Sequence, residues 1–249
     1  MAKKTIEFFS SIKGVSETFP IRLAKDVIPP WTNEARKDFF VQQKNLGNNL
    51  QHHITKCPGI FHLFATGYIV SAWHDVEIIP IKNGFKYNIP DEMVNTLLEK
   101  PTIGSQGADT VGKFIPKRPW SDPSILKINT PWHILAPKGL KFLMIPIPYT
   151  DYFDFESCIG ILDPSFSSEI NVQGYWNKKT GSTTMKAGTP IAQLIPLSEK
   201  TYDFVVRDKN EKDEQWLQKF KYFNYMAFQY ARNLIKKAYN KHVESNDDI

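Results

Sequence analysis

Apolar and polar residues alternate most cleanly in EINVQGYW, Glu169 to Trp176, where Ile170, Val172 and Trp176 fall on every second position. A period of two points to a strand with one buried face. Similar runs recur roughly every 8–12 residues with turn chemistry between them, the spacing of a sandwich or barrel. They are ILKINTPWHILAP from Ile125, LKFLMIPIPY from Leu140, CIGIL from Cys158, PIAQLIPL from Pro190 and YDFVVRD from Tyr202. Upstream, TIEFF, Tyr68 to Trp73 and Val76 to Ile81 also read as strands, and Asn83-Gly84 supplies a hairpin turn because both residues tolerate positive φ. LKFLMIPIPY is apolar on both faces and is expected to be central and buried. The pattern predicts a mainly β fold, a sandwich or distorted barrel from about Tyr68 to Asp208.

Helical patterning marks the ends. Asn33 is a candidate cap for NEARKDFFVQQ, with Gly47 near its end, and DEMVNTLLEK between Pro90 and Pro101 reads as a short helix. From Asn210 to Glu244 the chain has neither Gly nor Pro, begins acidic and ends basic, as a helix dipole favours. Trp216, Phe220, Phe223, Ala227, Tyr230 and Leu234 form an apolar stripe. This predicts a long C-terminal helix, packed across the β core or offered to a partner. The expected organisation is an N-terminal extended and helical segment over 1–54 packed on the core, a β core over 55–208, and a C-terminal helix with a fraying tail over 209–249.

Composition changes this picture little. With 249 residues, 41% hydrophobic and 23% charged, the chain is an ordinary globular one. No run approaches the length of a membrane span, and the apolar patch in MAKKTIEFFSSIKG is too short for a signal-peptide core. Two cysteines build no disulfide framework, so a cytoplasmic protein, or part of a particle assembled inside cells, is expected. The net charge of +5 is local. Between Lys100 and Lys141 seven basic residues face two acidic ones, a net of +5 that equals that of the whole chain. Lys117, Arg118, Trp120 and Trp132 lie there, and seven of the seventeen prolines fall between Pro116 and Pro148. Cations among aromatics suit bases and phosphates. Here they are strung along extended loops, including a long loop expected from Thr102 to Trp120, which favours a solvated loop surface over a nucleic-acid or anion site, and nucleic acid is not expected as a partner. Trp31, Trp120 and Trp132 each neighbour a proline, a combination that makes rigid ledges for a ligand ring or capping for a barrel end. His52, His53, Cys57 and His62 match no standard spacing of zinc ligands, so no metal site is expected.

The stretch with most chemical content is GILDPSFSSEINV, Gly160 to Val172, followed by KAGTPIAQLIPL, Lys186 to Leu197. Gly-x-x-Asp-x-x-aromatic, then Glu-Ile, then Gly-x-x-Ile-Ala-Gln-Leu-Ile resembles the third motif and following strand of the dUTPase and dCTP deaminase superfamily. The resemblance implies a dUTPase-like β core, Asp163 orienting water or sugar, Phe166 stacking beneath deoxyribose, and Gln193 on the next strand. Such a site would use Mg²⁺ and basic residues such as Lys117 and Arg118 for a nucleotide's phosphates. Where the family has Arg-Gly before the glutamate, this chain has Ser167-Ser168, and PKRPWSDPS is the nearest candidate for a phosphate-gripping motif. More loosely, IPPW at Ile28, the segment from Lys56 to Val70, INTPWHILAPKG from Ile128 and GTPIAQLIPL resemble a family of soluble proteins of tailed bacteriophages, especially marine ones.

Two function classes follow. Under the first, the chain is a phage-encoded, non-enzymatic accessory protein in the virion or the host cytoplasm. It binds a protein, a second copy of itself or a small anion, without cofactor, through its long helix and its Pro/Trp-rich loops. Under the second, it binds or hydrolyses a nucleotide at Asp163 and Phe166. Lys117, Arg118, Trp120, Trp132, Asp163, Phe166 and Gln193 are the candidate ligand-binding residues.

Overall fold

The computed structural model describes residues 5–47, 52–82, 84–90, 101–107, 113–116, 118–223 and 228–246, and of helical residues 220–223, 228–231 and 246 the backbone alone. In chain order the elements are β1 (Thr5–Ser10), α1 (Val15–Thr18), β2 (Arg22–Leu23), α2 (Trp31–Leu46), α3 (Pro58–Ala65), β3 (Tyr68–Ser71), β4 (Val76–Ile81), β5 (Gly84–Asn88), β6 (Ile103–Gln106), β7 (Ile125–Leu135), β8 (Phe142–Ile145), β9 (Phe155–Ser157), β10 (Gly160–Leu162), β11 (Glu169–Trp176), β12 (Thr183–Met185), β13 (Pro190–Pro196), β14 (Asp203–Asp208), α4 (Glu211–Phe223) and α5 (Phe228–Asn246).

The fold is mainly β and sandwich-like. One sheet runs β14-β1-β7-β11-β9, with β6 beside the first half of β7, and a second runs β10-β8-β13-β3-β2. Their inner faces share one core: Ile6, Phe8, Trp132, Ile134, Ile170 and Val172 from the first sheet meet Tyr68, Val70, Phe142, Met144, Ala192 and Leu194 from the second. A third sheet, β12-β4-β5, adds Val76, Ile78 and Met185 to this core. Burial along β11 alternates through all eight residues, as its sequence pattern requires. Two close approaches depend on glycine. A Cβ on Gly67, at φ +83°, would lie 2.1 Å from the Leu194 carbonyl oxygen, and one on Gly174 would lie 2.4 Å from the Phe155 ring.

The C-terminal segment is helical as expected, but α4 and α5 fold back on each other. Asp213 meets His242, Trp216 stacks on His242 at 5.6 Å, and Lys212 Nζ donates to the Ser245 carbonyl. Trp216, Ile235 and Tyr239 then cover Phe9 and Leu135 on the outer face of the first sheet. Burying such side chains contributes about 1.5–3 kcal/mol each. Of the expected stripe, the side chains of Phe220, Phe223 and Tyr230 and all of Ala227 lie outside the described residues.

The hairpin also explains one corrected expectation. β8 alternates between buried and half-buried, whereas β7 is buried on both faces over ten of its eleven residues. Its polar positions are largely tied down: Asn129 Nδ2 donates to the Pro101 carbonyl and Thr130 Oγ1 to that of Ile170.

Other differences are local. α2 begins at Trp31, because Pro30 has the φ of a first helical turn, so Asn33 lies inside the helix. Ile81 pairs with Gly84, making Lys82-Asn83 the hairpin loop and Gly84 its first strand residue, with Asn83 itself outside the described residues. The expected loop after Thr102 contains β6, and α3, with Pro58 in its first turn, occupies a stretch with no predicted helix. The predicted helix DEMVNTLLEK lies outside the described residues. The 1–54 segment supplies β1 to the middle of one sheet and β2 to the edge of the other, while α2 stays largely exposed. Among the described residues no helix is long and apolar enough to cross a membrane.

Candidate functional site

A cavity of about 810 Å³ lies where the Pro-rich segment 115–123 passes between the β4–β5 turn and the chain leaving β11. Four prolines, Pro116, Pro119, Pro123 and Pro80, stiffen its walls. The Asp122 amide fastens the segment by donating to the Trp176 carbonyl at 2.8 Å. Arg118 forms the cavity's most ordered polar feature. Its guanidinium lies 3.8 Å from the Tyr175 ring centroid and donates to both oxygens of Glu156, at 2.5 and 2.8 Å. Planar stacking plus a two-point bond fixes the group's orientation. The bond to Arg118 holds the Glu156 carboxyl below its ordinary value and raises that of Arg118.

Two more cations, Lys82 and Lys179, project from exposed turns on the same cavity. Among the described lining residues the only carboxylate is Asp122, 3% exposed. Burial raises its pKa, and the bonds from Ser124, including the Ser124 amide at 2.8 Å, only partly oppose this. The described lining therefore presents three cations against one carboxyl whose charged form is disfavoured.

Asp163 and Phe166 lie elsewhere, in the turn after β10. Asp163 Oδ1 accepts from the Ser165 amide at 3.1 Å and the Ser165 hydroxyl at 2.6 Å, and its carbonyl accepts from the Phe166 and Ser167 amides. Its other oxygen lies 3.3 Å from Lys141 Nζ. Burial opposes ionisation, but Ser165 and Lys141 outweigh it and leave the carboxyl below its usual value. This is a side chain closing its own turn. Among the described residues no group of three or more His, Cys, Asp or Glu side chains is placed to hold a metal ion, and Asp163, bonded to Ser165 and Lys141, does not fit a Mg²⁺ site. Phe166 is half-buried beneath the Arg232 guanidinium of α5, 5.6 Å from its ring.

The remaining candidates separate further. Gln193 is buried, and its Nε2 donates to the Leu63 and Thr66 carbonyls at 2.8 and 2.6 Å, closing the C-terminal end of α3. Trp132 is fully buried in the core, which corrects its reading as a ligand-facing ledge: β7 turns it inward between the sheets. Trp120 is 60% exposed and lines a second cavity. Lys117 lies outside the described residues. Of the described candidates Arg118 alone reaches the large cavity, and no contact or cavity among the described residues joins Asp163 or Phe166 to Gln193, Arg118 or Trp120. Lys141 pairs with Asp163, and of the segment's described cations Arg118 alone is in the lining of the large cavity.

Lys82, Tyr175, Asp122 and Lys179 were not singled out from sequence. Their one signal is placement beside turn residues, Lys82 before Asn83-Gly84 and Lys179 in NKKTGSTT. No protein-family model matches this chain, and no curated protein matches it either.

Proposed function

We propose that this chain is a non-catalytic binding protein, an accessory factor of the tailed-phage type acting in the virion or the host cytoplasm, and that the large cavity receives a small anionic group. The observation that carries the reading is the convergence of Lys82, Arg118 and Lys179 on one cavity whose single carboxyl among the described residues, Asp122, is buried and reluctant to ionise. Arg118 uses two of its N–H groups on Glu156 and keeps others for a ligand. The nucleotide reading has less support, because the Asp163 carboxylate and the Gln193 amide are both committed to holding the fold.

A thermal-shift series with inorganic phosphate, pyrophosphate and nucleotides, with and without Mg²⁺, tests this. An anion at 100 times its dissociation constant adds about 2.7 kcal/mol, or roughly 5–11 °C for a chain of this size. The shift is expected to fall with salt and to vanish in Lys82→Gln/Lys179→Gln. A shift confined to nucleotides with Mg²⁺ and lost in Asp163→Ala would establish the nucleotide reading instead.

One observation favours a protein partner as a second reading. α2 buries only Thr32 and leaves Phe40, Val41 and Leu46 in solvent. The described inner face of the C-terminal hairpin is spent on the first sheet, so α2 is the helix open to a partner or a second copy. Light scattering on the intact protein and on Phe40→Glu distinguishes a dimer from a monomer.

A further inference from the structure

A second cavity, of about 510 Å³, has the opposite character to the first. Its walls carry the rings of Trp120, Tyr149, Tyr152 and Phe153, and among the described residues its charged lining is the carboxylates Asp154 and Glu156 alone. Each carboxylate pairs with a cation that is not among the described residues of this lining: Lys178 Nζ lies 2.8 Å from Asp154, and Arg118, which holds Glu156, lines the first cavity.

The rings are held out rather than collapsed. Trp120, Tyr149 and Phe153 are 60%, 53% and 73% exposed. Tyr149 has φ +53° and is the one non-glycine residue with positive φ among the described residues. Bulky residues rarely adopt this region, and such strain persists where surrounding contacts enforce it. Here Trp31 Nε1 donates to the Tyr149 carbonyl at 3.1 Å, and the rings of Trp31 and Phe64 meet the Tyr149 ring edge-on at 6.1 and 6.0 Å. Proline-flanked Trp31 and α3 thus fix an aromatic wall in a costly conformation beside a cavity of ligand size.

We propose that this cavity binds an alkylated ammonium cation, a quaternary ammonium group above all. Ring faces attract such a cation through their quadrupoles, the methyl groups fill apolar space, and the cation needs no hydrogen-bond donors from the wall. Asp154 and Glu156 add long-range attraction without having to desolvate fully, because each keeps its own partner. The site is separate from the proposed anion cavity and meets it only at the Arg118–Glu156 pair.

Isothermal titration of the intact protein with choline, with its neutral isostere 3,3-dimethylbutan-1-ol, and with Nα-acetyl-trimethyllysine amide tests the proposal. Choline is expected to bind at least about tenfold more tightly than the isostere, the margin a cation at several ring faces supplies. The stronger of choline and the trimethyllysine derivative identifies the source, a free small molecule or a modified side chain. Trp120→Leu and Phe153→Leu, both at exposed positions, are each expected to weaken choline several-fold while phosphate binding stays unchanged. Equal affinity for choline and isostere, no binding of either ammonium compound at millimolar concentration, or unchanged choline binding in Trp120→Leu overturns the proposal. The comparison of choline with its isostere uses the unaltered protein, so it decides the matter even if a variant fails to fold.

Discussion

Two arginines in this molecule have the same neighbours in kind and different fates. Arg207 on β14 lies over the Phe9 ring at 5.5 Å, donates to Glu7 at 2.9 Å through Nε, and bonds both oxygens of Asp213 through its terminal nitrogens. It also reaches the Asp208 carbonyl at 3.1 Å. Asp213 is fully buried and accepts further from the Asn210 amide and faces His242 Nε2 at 3.1 Å. Arg118 lies over Tyr175 and holds Glu156, but both partners remain partly exposed and the pair stands between two cavities. The difference is saturation. Arg207 has spent its donors on protein atoms and locks the helical hairpin to the sheet, whereas Arg118 is oriented by two contacts and left with donors to spare. Orientation plus unspent capacity is what a binding site needs from an ion pair, and a fully satisfied pair contributes to the fold alone.

The largest effect expected from this contrast is at Asp213. Asp213→Ala takes from the largely buried Arg207 the fully buried carboxylate it bonds at two points, leaving it Glu7, and takes one partner from His242. Breaking a buried pair in this way costs about 3–5 kcal/mol, a fall in melting temperature of roughly 6–20 °C measurable by calorimetry. The pH dependence has a definite sign. Burial opposes ionisation of Asp213, but His242, Arg207 and the Asn210 amide outweigh it and set the folded pKa below the ordinary value of 3.8. The stabilisation is therefore present above that value and fades as pH falls through the lower, folded one. The alanine variant should lose less stability than the native chain on acidification below pH 3.8. Next comes Gln193, whose amide serves the end of α3. Gln193→Leu leaves the Leu63 and Thr66 carbonyls without its donor at a cost of about 1–3 kcal/mol, and hydrogen exchange should show α3 opening before the sheets.

These residues also mark how far the sequence was legible. Local periodicity identified β1, β4 and β11 because alternation is a property of the strand itself. It misplaced the doubly buried strand because burial of the outer face of β7 depends on α4 and α5, more than seventy residues away in sequence. That the segment after Asn210 is helical was plain, but no Gly or Pro between Glu211 and Glu244 marks where the chain turns back. The Asp163 turn was visible in Asp-Pro-Ser, whereas the commitment of Gln193 to α3 was not, since it pairs residues 130 apart. The cation-rimmed cavity draws Lys82, Arg118 and Lys179 from three separated segments, and each lysine alone reads as an ordinary solvated turn residue.

Arg118→Ala is the mirror of Asp213→Ala. An ion pair this exposed contributes about 0–1 kcal/mol, so chemical denaturation should scarcely register the change. Phosphate affinity should fall about tenfold, as loss of a charged hydrogen-bond donor to an anion implies. A stability loss comparable to that of Asp213→Ala would collapse the distinction between the two arginines and make Arg118 a structural residue.

The smallest effect, and the one with the opposite sign, belongs to Asp122. Its folded pKa is raised above 3.8 by burial, with only Ser124 opposing, and no ion pair among the described residues holds it. A raised carboxyl pKa favours the folded state fully below 3.8 and loses that advantage as pH rises through the folded value, so near neutrality the ionised side chain works against the fold. Asp122→Asn retains an oxygen to accept the Ser124 amide and removes the charge. The variant is expected to match or slightly exceed the native chain in urea unfolding at pH 7, and to lose any advantage at pH 3.5. With the cavity's one carboxylate gone, phosphate should also bind more tightly at pH 7. A variant less stable at pH 7, with weaker phosphate binding, would mean that the carboxylate is balanced by one of the cavity cations. The three positive charges would then serve Asp122 itself, as Arg207 serves Asp213.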